Sequence, residues 1–486
     1  MDKEISCHFL IGYVKIPHYT FRIRMVFFMS EKGFLQPFEE FIVKRTRTNR
    51  LWARSLALSS LATAIGDEVK FRTSIGPLQL NLFYVDIGAS GLAKKTLAMQ
   101  YYSKPTLLKL EELLKVKVLL PEEFTAEGMH EYFLSSDVPS LQGVERKYDV
   151  SLSGTIYQDE FSKFIKEVRS KKYMTGLFEF LSELYDGYVK SRFTRTGKYQ
   201  PGVKVCVNLV AASTPAILPF LQPEFFRLGL GNRILFVSSG SGIVEKEDSE
   251  RYFLPELEDD RLKHINHFAD LLQDYNESVK GRCVIPSPEA GDFLVNYEFL
   301  KKSEAKTLFD EDMLSLAYSY IDRLPVFAFK MSALHAIDRE GMRPWKDSKD
   351  NLIEVRKEDV DWATQNVDEH FKHFKKLLDL WENLERAERT KVRRRDPEDI
   401  KSIIAIAGPQ GIIMTELRHK AYSKGFTPER FIECLNLIVK SGEVTAQREE
   451  IPNQPGPKPM VLRLSIYKKP KWMKSEKQDN ATASSS

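Results

Sequence analysis

The chain has 486 residues, of which 42% are hydrophobic and 29% charged, so it is long enough for two or three domains with cores of their own. Its 72 Lys and Arg residues nearly balance 68 Asp and Glu residues, which leaves a net charge of +4. This balance excludes a strong positive electrostatic field around the whole protein, so any affinity for nucleic acid must come from local basic patches. Four scattered cysteines without a C-x-x-C pair predict reduced thiols and no zinc site. No apolar stretch approaches the ~18 residues of a membrane span, so we expect a cytoplasmic protein without membrane contact.

The N-terminal segment, residues 1–34, is aromatic and basic, and its short apolar runs are broken by Pro17. It has no small-residue cleavage site, so we interpret it as an extension and not as a secretory signal. From Phe38 the pattern predicts a helix, and RLWARSLALSSLATAIG predicts a second one. These helices open the segment 35–255, in which we expect an α/β core.

A strand, a glycine-containing turn and a helix follow at NLFYVDIGASGLAKKTLAM. The apolar run from Leu82 to Ile87 predicts a strand buried in a parallel sheet, and the residues after the turn predict a helix that stops at Pro105. The start of a helix offers free N–H groups and a partial positive charge, which favour phosphate. The predicted nucleotide-binding residues are Gly88, Ala89, Ser90, Gly91, Leu92, Ala93, Lys94, Lys95 and Thr96.

Two alignments of this loop with the phosphate-loop pattern G-x-x-x-x-G-K-[ST] are possible. In the first, Gly88 is the first glycine, Ala93 replaces the second, and Lys94 is the phosphate lysine; Lys95 then stands where a hydroxyl would ligate magnesium. In the second, Lys95 and Thr96 form the lysine–hydroxyl pair, but an alanine and Lys94 take the two glycine positions. We prefer the first, because it keeps Gly88 at the turn and a small residue beside the phosphates. An ordinary strand-to-helix turn is the alternative without a ligand.

The stretch GTIYQDEFSKF predicts a further strand that ends in two adjacent carboxylates, Asp159 and Glu160. At the carboxyl end of a strand beside a phosphate loop, the first acid can hold magnesium, often through water, and the second can polarise the attacking water. An isolated Asp-Glu pair is usually solvated surface. Its place downstream of a candidate phosphate loop is what makes this pair informative.

The stretch YVKSRFTRTGKYQPG predicts a basic hairpin with an exposed tip. Its cations alternate with aromatic residues, and Thr-Gly can form the turn. Such cations would contact DNA phosphates, while the aromatic rings could stack on bases. A solvated hairpin without a ligand is the alternative. The predicted DNA-binding residues are Lys190, Arg192, Arg195 and Lys198.

Two more strands are predicted by VKVCVNLVAASTPAI and GLGNRILFVSS. The first ends in Ser213 and Thr214, and either hydroxyl could orient the hydrolytic water if this strand lies between the two motif strands. A strand-end turn would explain the same residues. Arg233 directly precedes the second strand, where an arginine could reach the γ-phosphate of a neighbouring subunit.

These motifs together resemble those of the minichromosome maintenance (MCM) helicases. GASGLAKK looks like their Walker A loop, which carries Ala before the lysine, and GTIYQDEFSKF is similar to their Walker B strand. VNLVAASTP resembles their sensor 1 strand with Thr214 in place of Asn, and LGNRILFV resembles their arginine-finger segment with Arg233 as the finger. The order also resembles the primase/helicase-like ATPases of archaeal plasmids and integrated elements, in which a threonine-initiated helix, here FTAEGMHEYFLSS, precedes Walker B. In that family Tyr-Asp-Gly, here Tyr185 to Gly187, precedes the sensor strand, and the likeness covers about residues 35–340.

The resemblance implies an α/β fold, namely an AAA+ P-loop ATPase core at 35–255 with a helical lid at 256–345. ATP and Mg²⁺ are the implied cofactors, and a homo-oligomer, a hexameric ring, is the implied assembly. Lys94 would bind phosphate, Asp159 would hold magnesium, Glu160 would activate water, and Arg233 would come from the neighbour. In the lid, Arg323 is the predicted sensor 2 arginine, near a helix start set by the following proline. An arginine that pairs with an acid of the core is the alternative.

The remaining segments predict a long helix and a basic linker at 346–396, a winged helix at 397–470, and a disordered polar tail at 471–486. MCM proteins also end in a winged helix. The third helix of this domain offers only Arg430 and Lys440 as cations beside Glu429 and Glu433, so docking of replication proteins is an alternative to DNA reading.

The expected function is therefore that of an ATP-driven translocase or helicase on single- or double-stranded DNA, for the replication of a mobile element. One alternative is a DNA-binding initiator or regulator that uses ATP to assemble without unwinding. Another is a nucleotide-free scaffold in which Lys95 has replaced magnesium.

Overall fold

The computed structural model describes residues 14–16, 19–21, 33–71, 78–89, 93–134, 149–170, 176–193, 197, 199–221, 225–226, 229–239, 255–308, 317–340, 351–448 and 458–465. The chain divides into two compact units, Met1–Leu378 and Asp379–Ser486. None of the helices in these residues combines the length and the apolar character that a membrane crossing requires.

The first unit contains most of the regular structure. Its strands are β1 Val14–Ile16, β2 Tyr19–Phe21, β3 Lys70–Phe71, β4 Phe83–Gly88, β5 Val116–Leu119, β6 Asp149–Gln158, β7 Tyr188–Val189, β8 Arg192–Phe193, β9 Tyr199–Gln200, β10 Val203–Lys204, β11 Cys206–Ser213, β12 Ile234–Ser239, β13 Cys283–Pro286 and β14 Leu352–Val355. Its helices are α1 Leu35–Thr46, α2 Arg50–Ile65, α3 Lys95–Ala98, a π-helical turn Met99–Ser103, α4 Lys104–Leu114, α5 Ala126–Leu134, α6 Phe161–Ser170, α7 Leu177–Asp186, α8 Pro255–Val279, α9 Pro288–Leu308, α10 Leu324–Glu340 and the start of α11 Lys357–Ile406. Short 3₁₀ turns lie at Pro215–Phe220 and Gly231–Arg233.

A five-stranded parallel sheet in the order β12-β4-β11-β6-β5 forms the centre of this unit, which confirms the predicted α/β class. Every residue of β4 and β11 is buried, which explains why these strands are apolar on both faces. Strand β11 lies between β4 and β6, and its last residue, Ser213, pairs with Ile87 of β4. Because parallel strands end at one edge, Gly88, Ser213 and the acids after β6 share the carboxyl edge of the sheet.

Helix α2 is the central helix of the core and is buried along nearly its whole length. A helix that is apolar all round requires such a position. Three of its buried hydroxyl groups are satisfied there, because Ser55, Ser60 and Thr63 each donate to the backbone carbonyl four residues earlier. The buried hydroxyl of Ser59 has no hydrogen-bond partner among the described residues. Asn49 caps its start by accepting the backbone N–H of Leu51.

Pro105 does not end the helix that begins after the predicted phosphate loop, contrary to the sequence prediction. Helix α3 passes directly into the π-helical turn and then into α4, in which Pro105 is the second residue. The π turn is wide, and the N–H of Lys104 bonds to the carbonyl of Met99, five residues earlier. Proline lacks an N–H and crowds the preceding turn of an α-helix, and the wider turn accommodates its ring.

The segment predicted as an all-helical lid also contains a strand. Helices α8, α9 and α10 agree with the prediction, but β13 pairs in parallel with both β14 and β3 to form a second, three-stranded sheet. These strands are two to four residues long and come from distant parts of the chain. Such short runs carry no readable period, so the sequence alone could not reveal them.

The second unit contains the end of α11 and five further elements, which are β15 Ile412–Ile413, α12 Met414–Ser423, α13 Pro428–Lys440, β16 Val444–Arg448 and β17 Met460–Leu464. Its strands form an antiparallel sheet in the order β15-β17-β16. Thr427 accepts the N–H of Arg430 and so caps α13, as predicted. The predicted basic linker is helical, because α11 continues through Pro397 to Ile406. Lys, Arg and Glu dominate that stretch and are strong helix formers.

Candidate nucleotide site

Five residues predicted to act on a nucleotide lie at the carboxyl edge of the central sheet. Gly88 ends β4, and Ser213 and Thr214 end β11 beside it. Asp159 and Glu160 directly follow β6, on the other side of β11, and both are exposed. Ser213 is buried and donates to the carbonyl of Thr214 at 3.4 Å, while Thr214 remains partly exposed. The edge therefore combines a turn, a hydroxyl group and an accessible acid pair.

The loop after β4 folds back over the end of its own strand. A Cβ atom at Gly88 would lie 2.7 Å from the Cβ of Ala93 and 2.9 Å from the carbonyl oxygen of Ser239, so only glycine fits there. The N–H of Ala93 also bonds to the carbonyl of Ala89 at 3.3 Å. The predicted contacts Ser90, Gly91 and Leu92 lie outside the described residues.

The two adjacent lysines of this loop differ in conformation and in burial. Lys94 precedes α3 with φ 50° and ψ 16°, in the left-handed region, and is partly exposed. Lys95 is the first residue of α3 and only 5% exposed, and its Nζ donates to the carbonyl of Gly88 at 2.8 Å. Thr96 follows on the helix and is exposed.

A buried carboxyl group lies close to the charge of Lys95. Asp86, in the middle of β4, accepts the N–H of Ser239 at 3.2 Å and its Oγ at 2.7 Å. Burial raises the pKa of Asp86 to about 7, against the opposing effects of the Ser239 hydrogen bonds and of the Lys95 charge. Burial likewise lowers the pKa of Lys95, and the charge of Asp86 opposes that shift. Asp86 is not among the residues predicted from the sequence, although an acid inside the apolar run LFYVDIG is a detectable signal.

The acid pair after β6 is open to solvent. Gln100, on the helix that follows the loop, donates to Asp159 at 3.4 Å, and Lys163 lies 3.9 Å from Glu160. No group of three or more His, Cys, Asp or Glu side chains within the described ranges is arranged to hold a metal. Magnesium bound to a nucleotide uses only one or two carboxylates together with phosphate and water, so an exposed carboxylate such as that of Asp159 fits it.

Arg233 lies at the opposite, amino edge of the sheet. It precedes β12, which runs beside β4 from Phe83 to Gly88, so the length of a six-residue strand, about 17 Å, lies between Arg233 and the loop. Its Nε and Nη2 donate to the carboxylate of Asp186 at 3.0 and 2.7 Å, and its Nη1 donates to the carbonyl of Gly229 at 2.7 Å. The side chain is thus oriented within its own chain and separated from its own phosphate loop.

Arg323 belongs to the same charged cluster as Arg233. It directly precedes α10, so the predicted position near a helix start is confirmed. Burial raises the pKa of Tyr185, and the charges of Arg323 and Arg233 both oppose that rise. The ring of Tyr185 contacts that of Phe83 at the start of β4, with centroids 5.3 Å apart. The structure therefore does not bring Arg323 to the loop of its own chain, as a sensor 2 role within one chain would require.

A buried lysine joins helix α10 to this amino edge. Lys330 donates to the backbone carbonyl and to the Oδ1 of Asn81, both at 2.9 Å, and lies 3.9 Å from the ring centroid of Tyr185. Burial lowers the pKa of Lys330 to about 7. Asn81 in turn donates to the carbonyls of Leu184, Tyr185 and Val207. This cluster fixes the end of α7, from which Asp186 reaches Arg233.

The predicted hairpin between the motif strands is confirmed, because β7 pairs with β10 and β8 pairs with β9, both antiparallel. Phe193 and Tyr199 face each other across it, with centroids 5.3 Å apart, and are 74% and 56% exposed. Large aromatic side chains are mostly buried in folded proteins. This pair therefore presents two open ring faces near the tip.

The four cations predicted for this hairpin have different surroundings. Arg192 donates to Glu183 at 2.7 Å, and its guanidinium lies 5.1 Å from the ring centroid of Phe180. It ties the hairpin to α7 and is not a free phosphate ligand. Lys190 is exposed. Arg195 and Lys198 lie outside the described residues.

No protein-family model matches this chain, and no curated protein matches it.

Proposed function

We propose that the protein is an ATP-driven DNA translocase or helicase with an AAA+ P-loop core, which acts as a ring-forming homo-oligomer in the replication of a mobile element. One observation carries this proposal. The strand order brings a lysine-containing loop, an exposed acid pair and a strand-end hydroxyl to one edge of a parallel sheet, and it leaves an arginine at the other edge. Residues that are far apart in sequence are thereby combined in the set that phosphoryl transfer to water requires.

Each group at the carboxyl edge has a distinct role in this proposal. Bound ATP supplies the phosphoanhydride bond, and Mg²⁺ neutralises part of its phosphate charge. Asp159 would hold the magnesium, and the carboxylate of Glu160 would accept a proton from the attacking water. The hydroxyl of Thr214 or Ser213 would orient that water. The loop lysines and the first N–H groups of the helix would hold the phosphates.

Arg233 supports an oligomer in this proposal, because it lies at the edge of the sheet remote from its own loop. A guanidinium at that edge can complete a nucleotide site only in an adjacent subunit. Such head-to-tail contacts close into a ring. Asp186 keeps Arg233 oriented, and the bonds described above use three of its five N–H groups, so two remain for a phosphate. Arg323 lies in the same cluster and would act on the same neighbouring site.

The hairpin supports DNA as the polymer on which the protein acts. The segment from Gly187 to Val205 carries five Lys and Arg residues and no acid. Such a strip of cations attracts a phosphate backbone in spite of the small net charge of the whole chain. The open rings of Phe193 and Tyr199 suit bases that are not stacked in a duplex, which favours single-stranded DNA at this hairpin.

The second unit is proposed to be a winged helix that docks a replication protein. Its order of helix, short strand, two helices and two antiparallel strands fits that fold. Arg430 pairs through two nitrogens with Asp396, so this cation of the third helix is engaged within the unit. The exposed side of α13 carries Glu429, Ile432 and Glu433. A surface with acidic and apolar side chains is better suited to bind a partner protein than to bind the phosphate backbone of DNA.

ATP hydrolysis with and without single-stranded DNA, measured together with strand displacement and with the particle mass in nucleotide, tests the function. DNA-stimulated hydrolysis by a ring that displaces a strand is the expected result. Stimulation without displacement would favour the initiator or regulator. A chain that binds no nucleotide would overturn the proposal and would favour the alternative of a nucleotide-free scaffold.

Replacing both Phe193 and Tyr199 by Ala should weaken binding of single-stranded DNA by roughly tenfold or more, because each stacked base contributes about 1–3 kcal/mol. The slope of log K against log salt should stay unchanged, since no cation is removed. The matched Arg195→Ala/Lys198→Ala variant should instead flatten that slope by about 1.4 units on single strands. Fluorescence anisotropy across a salt series measures both. An aromatic variant that binds single strands as tightly as the unaltered chain would rule out stacking at the hairpin.

A further inference from the structure

The backbone at Lys94 has the conformation of a glycine position. Only three non-glycine residues among those the structure describes have positive φ, namely Arg47, Lys94 and Lys115. Arg47 and Lys115 end helices, where a left-handed residue is usual, whereas Lys94 precedes one. Residues with a Cβ avoid this region, and glycine adopts it freely. In the phosphate-loop pattern the residue directly before the phosphate lysine is a glycine.

Lys95 has the position that a phosphate lysine needs. It is the first helical residue after the left-handed one, and its ammonium is directed back to the carbonyl of Gly88, at the start of the loop. Its own backbone carbonyl accepts the indole N–H of Trp52 at 3.3 Å, which fixes the start of the helix against the core. The ammonium group of Lys95 is therefore held at the carbonyl of Gly88 and close to the carboxylate of Asp86. Among the described residues, no side-chain hydrogen bond or ion pair holds Lys94 in the same way.

Thr96 lies one helical turn before a residue that contacts the acid pair. Gln100, four residues later and in the π-helical turn that continues α3, donates to Asp159 at 3.4 Å. Thr96 is exposed, so its hydroxyl is accessible near the start of this helix. A hydroxyl and a carboxylate on the same side of the phosphates are the oxygen ligands that magnesium accepts.

We propose that Lys95 is the phosphate lysine of this loop, that Thr96 and Asp159 hold the magnesium ion, and that Lys94 occupies the glycine position. This assignment depends on the proposed nucleotide-binding function and selects the second of the two alignments left by the sequence. It replaces the role that sequence reasoning preferred for Lys94. It also gives the loop the magnesium-binding hydroxyl that the first alignment lacks.

The variant Lys94→Gly of the full chain separates the two alignments. If Lys94 occupies a glycine position, glycine should keep or tighten ATP binding and raise the melting temperature, because it adopts a positive φ without strain. If Lys94 binds phosphate, the same change should weaken ATP binding by roughly tenfold or more. Calorimetric titration with ATP, with and without Mg²⁺, measures the affinity, and such a loss would overturn our assignment.

Two further variants test the other assigned residues. Lys95→Ala should weaken ATP binding by roughly tenfold or more both with and without Mg²⁺. Because that change leaves Asp86 buried without its cation, the double variant Lys95→Ala/Asp86→Asn should show the same loss in a folded chain. Thr96→Ala changes an exposed residue and should weaken binding only when Mg²⁺ is present.

The outcomes distinguish a wrong assignment from a wrong function. Unchanged ATP binding in the folded Lys95→Ala/Asp86→Asn variant, or an unchanged magnesium effect in Thr96→Ala, would overturn the assignment and leave the nucleotide-binding function intact. An unaltered chain that binds ATP neither with nor without Mg²⁺ would overturn the function and the assignment together.

Discussion

Replacing Glu160 by Gln is expected to preserve ATP binding and to lower ATP turnover by roughly a hundredfold or more. The carboxylate follows β6 at the edge shared with the phosphate loop, and its side chain is 71% exposed. The amide keeps the size of the side chain but cannot accept a proton from water. Steady-state hydrolysis, together with the dissociation constant for ATP, separates the loss of chemistry from a loss of binding.

The neighbouring acid provides the matched control. Asp159→Asn should weaken ATP binding when Mg²⁺ is present, because the assigned magnesium ligand is lost, whereas Glu160→Gln should not. Two adjacent exposed acids after one strand would then give two different defects. Unchanged turnover in Glu160→Gln would show that this acid pair is not catalytic, whatever the loop binds.

The central sheet and its carboxyl edge could be predicted because their signals are local. Strands β4 and β11 are buried on both faces, and such burial leaves a continuous apolar run in the sequence. The polar residues that follow these and the neighbouring strand, such as Thr214 after β11 and Asp159 after β6, had to lie at the edge where parallel strands end. The residues at the carboxyl edge of the sheet could therefore be predicted from the individual strands, without knowledge of the strand order.

The contacts that orient the charged groups could not be predicted, because they join distant parts of the chain. Asp86 and Ser239 are 153 residues apart, and only the pairing of β12 with β4 brings them together. From the sequence, Arg192 is interpreted as a free cation of the hairpin. In the structure it donates to Glu183, which the fold brings next to it. Sequence patterns show the periodicity within one helix or strand. The partner of a charged side chain depends instead on how several elements pack together.

Arg323 illustrates how a correct local prediction can leave the location of a side chain open. The helix start at Leu324 was anticipated from the proline that follows it, and the structure confirms this start. Helix α10 contacts the core through Lys330, which donates to the carbonyl of Asn81, just before β4. A buried lysine inside an apolar helix gives no indication of its partner, so the edge at which Arg323 lies could not be inferred.

A chain with Arg233→Ala is expected to bind ATP as the unaltered chain does and to lose turnover by on the order of a thousandfold, the lower range for a trans-acting arginine. Arg233 lies at the amino edge of the sheet, so its removal leaves the loop and the acid pair of its own chain intact. Binding titration and steady-state hydrolysis of the same preparation measure the two effects. Weaker ATP binding by the isolated variant would indicate that Arg233 supports its own chain instead.

The mixture of Arg233→Ala chains with Glu160→Gln chains tests the trans arrangement directly. Each variant alone should be inactive, but an Arg233→Ala chain keeps a competent acid pair, and a Glu160→Gln chain keeps a competent arginine. In a ring assembled at random from equal amounts, about a quarter of the interfaces combine the two intact halves. Turnover should return to about that fraction of the unaltered level if the sites act independently. Mixed rings that form, as native mass spectrometry can show, and yet hydrolyse no ATP would contradict a shared site.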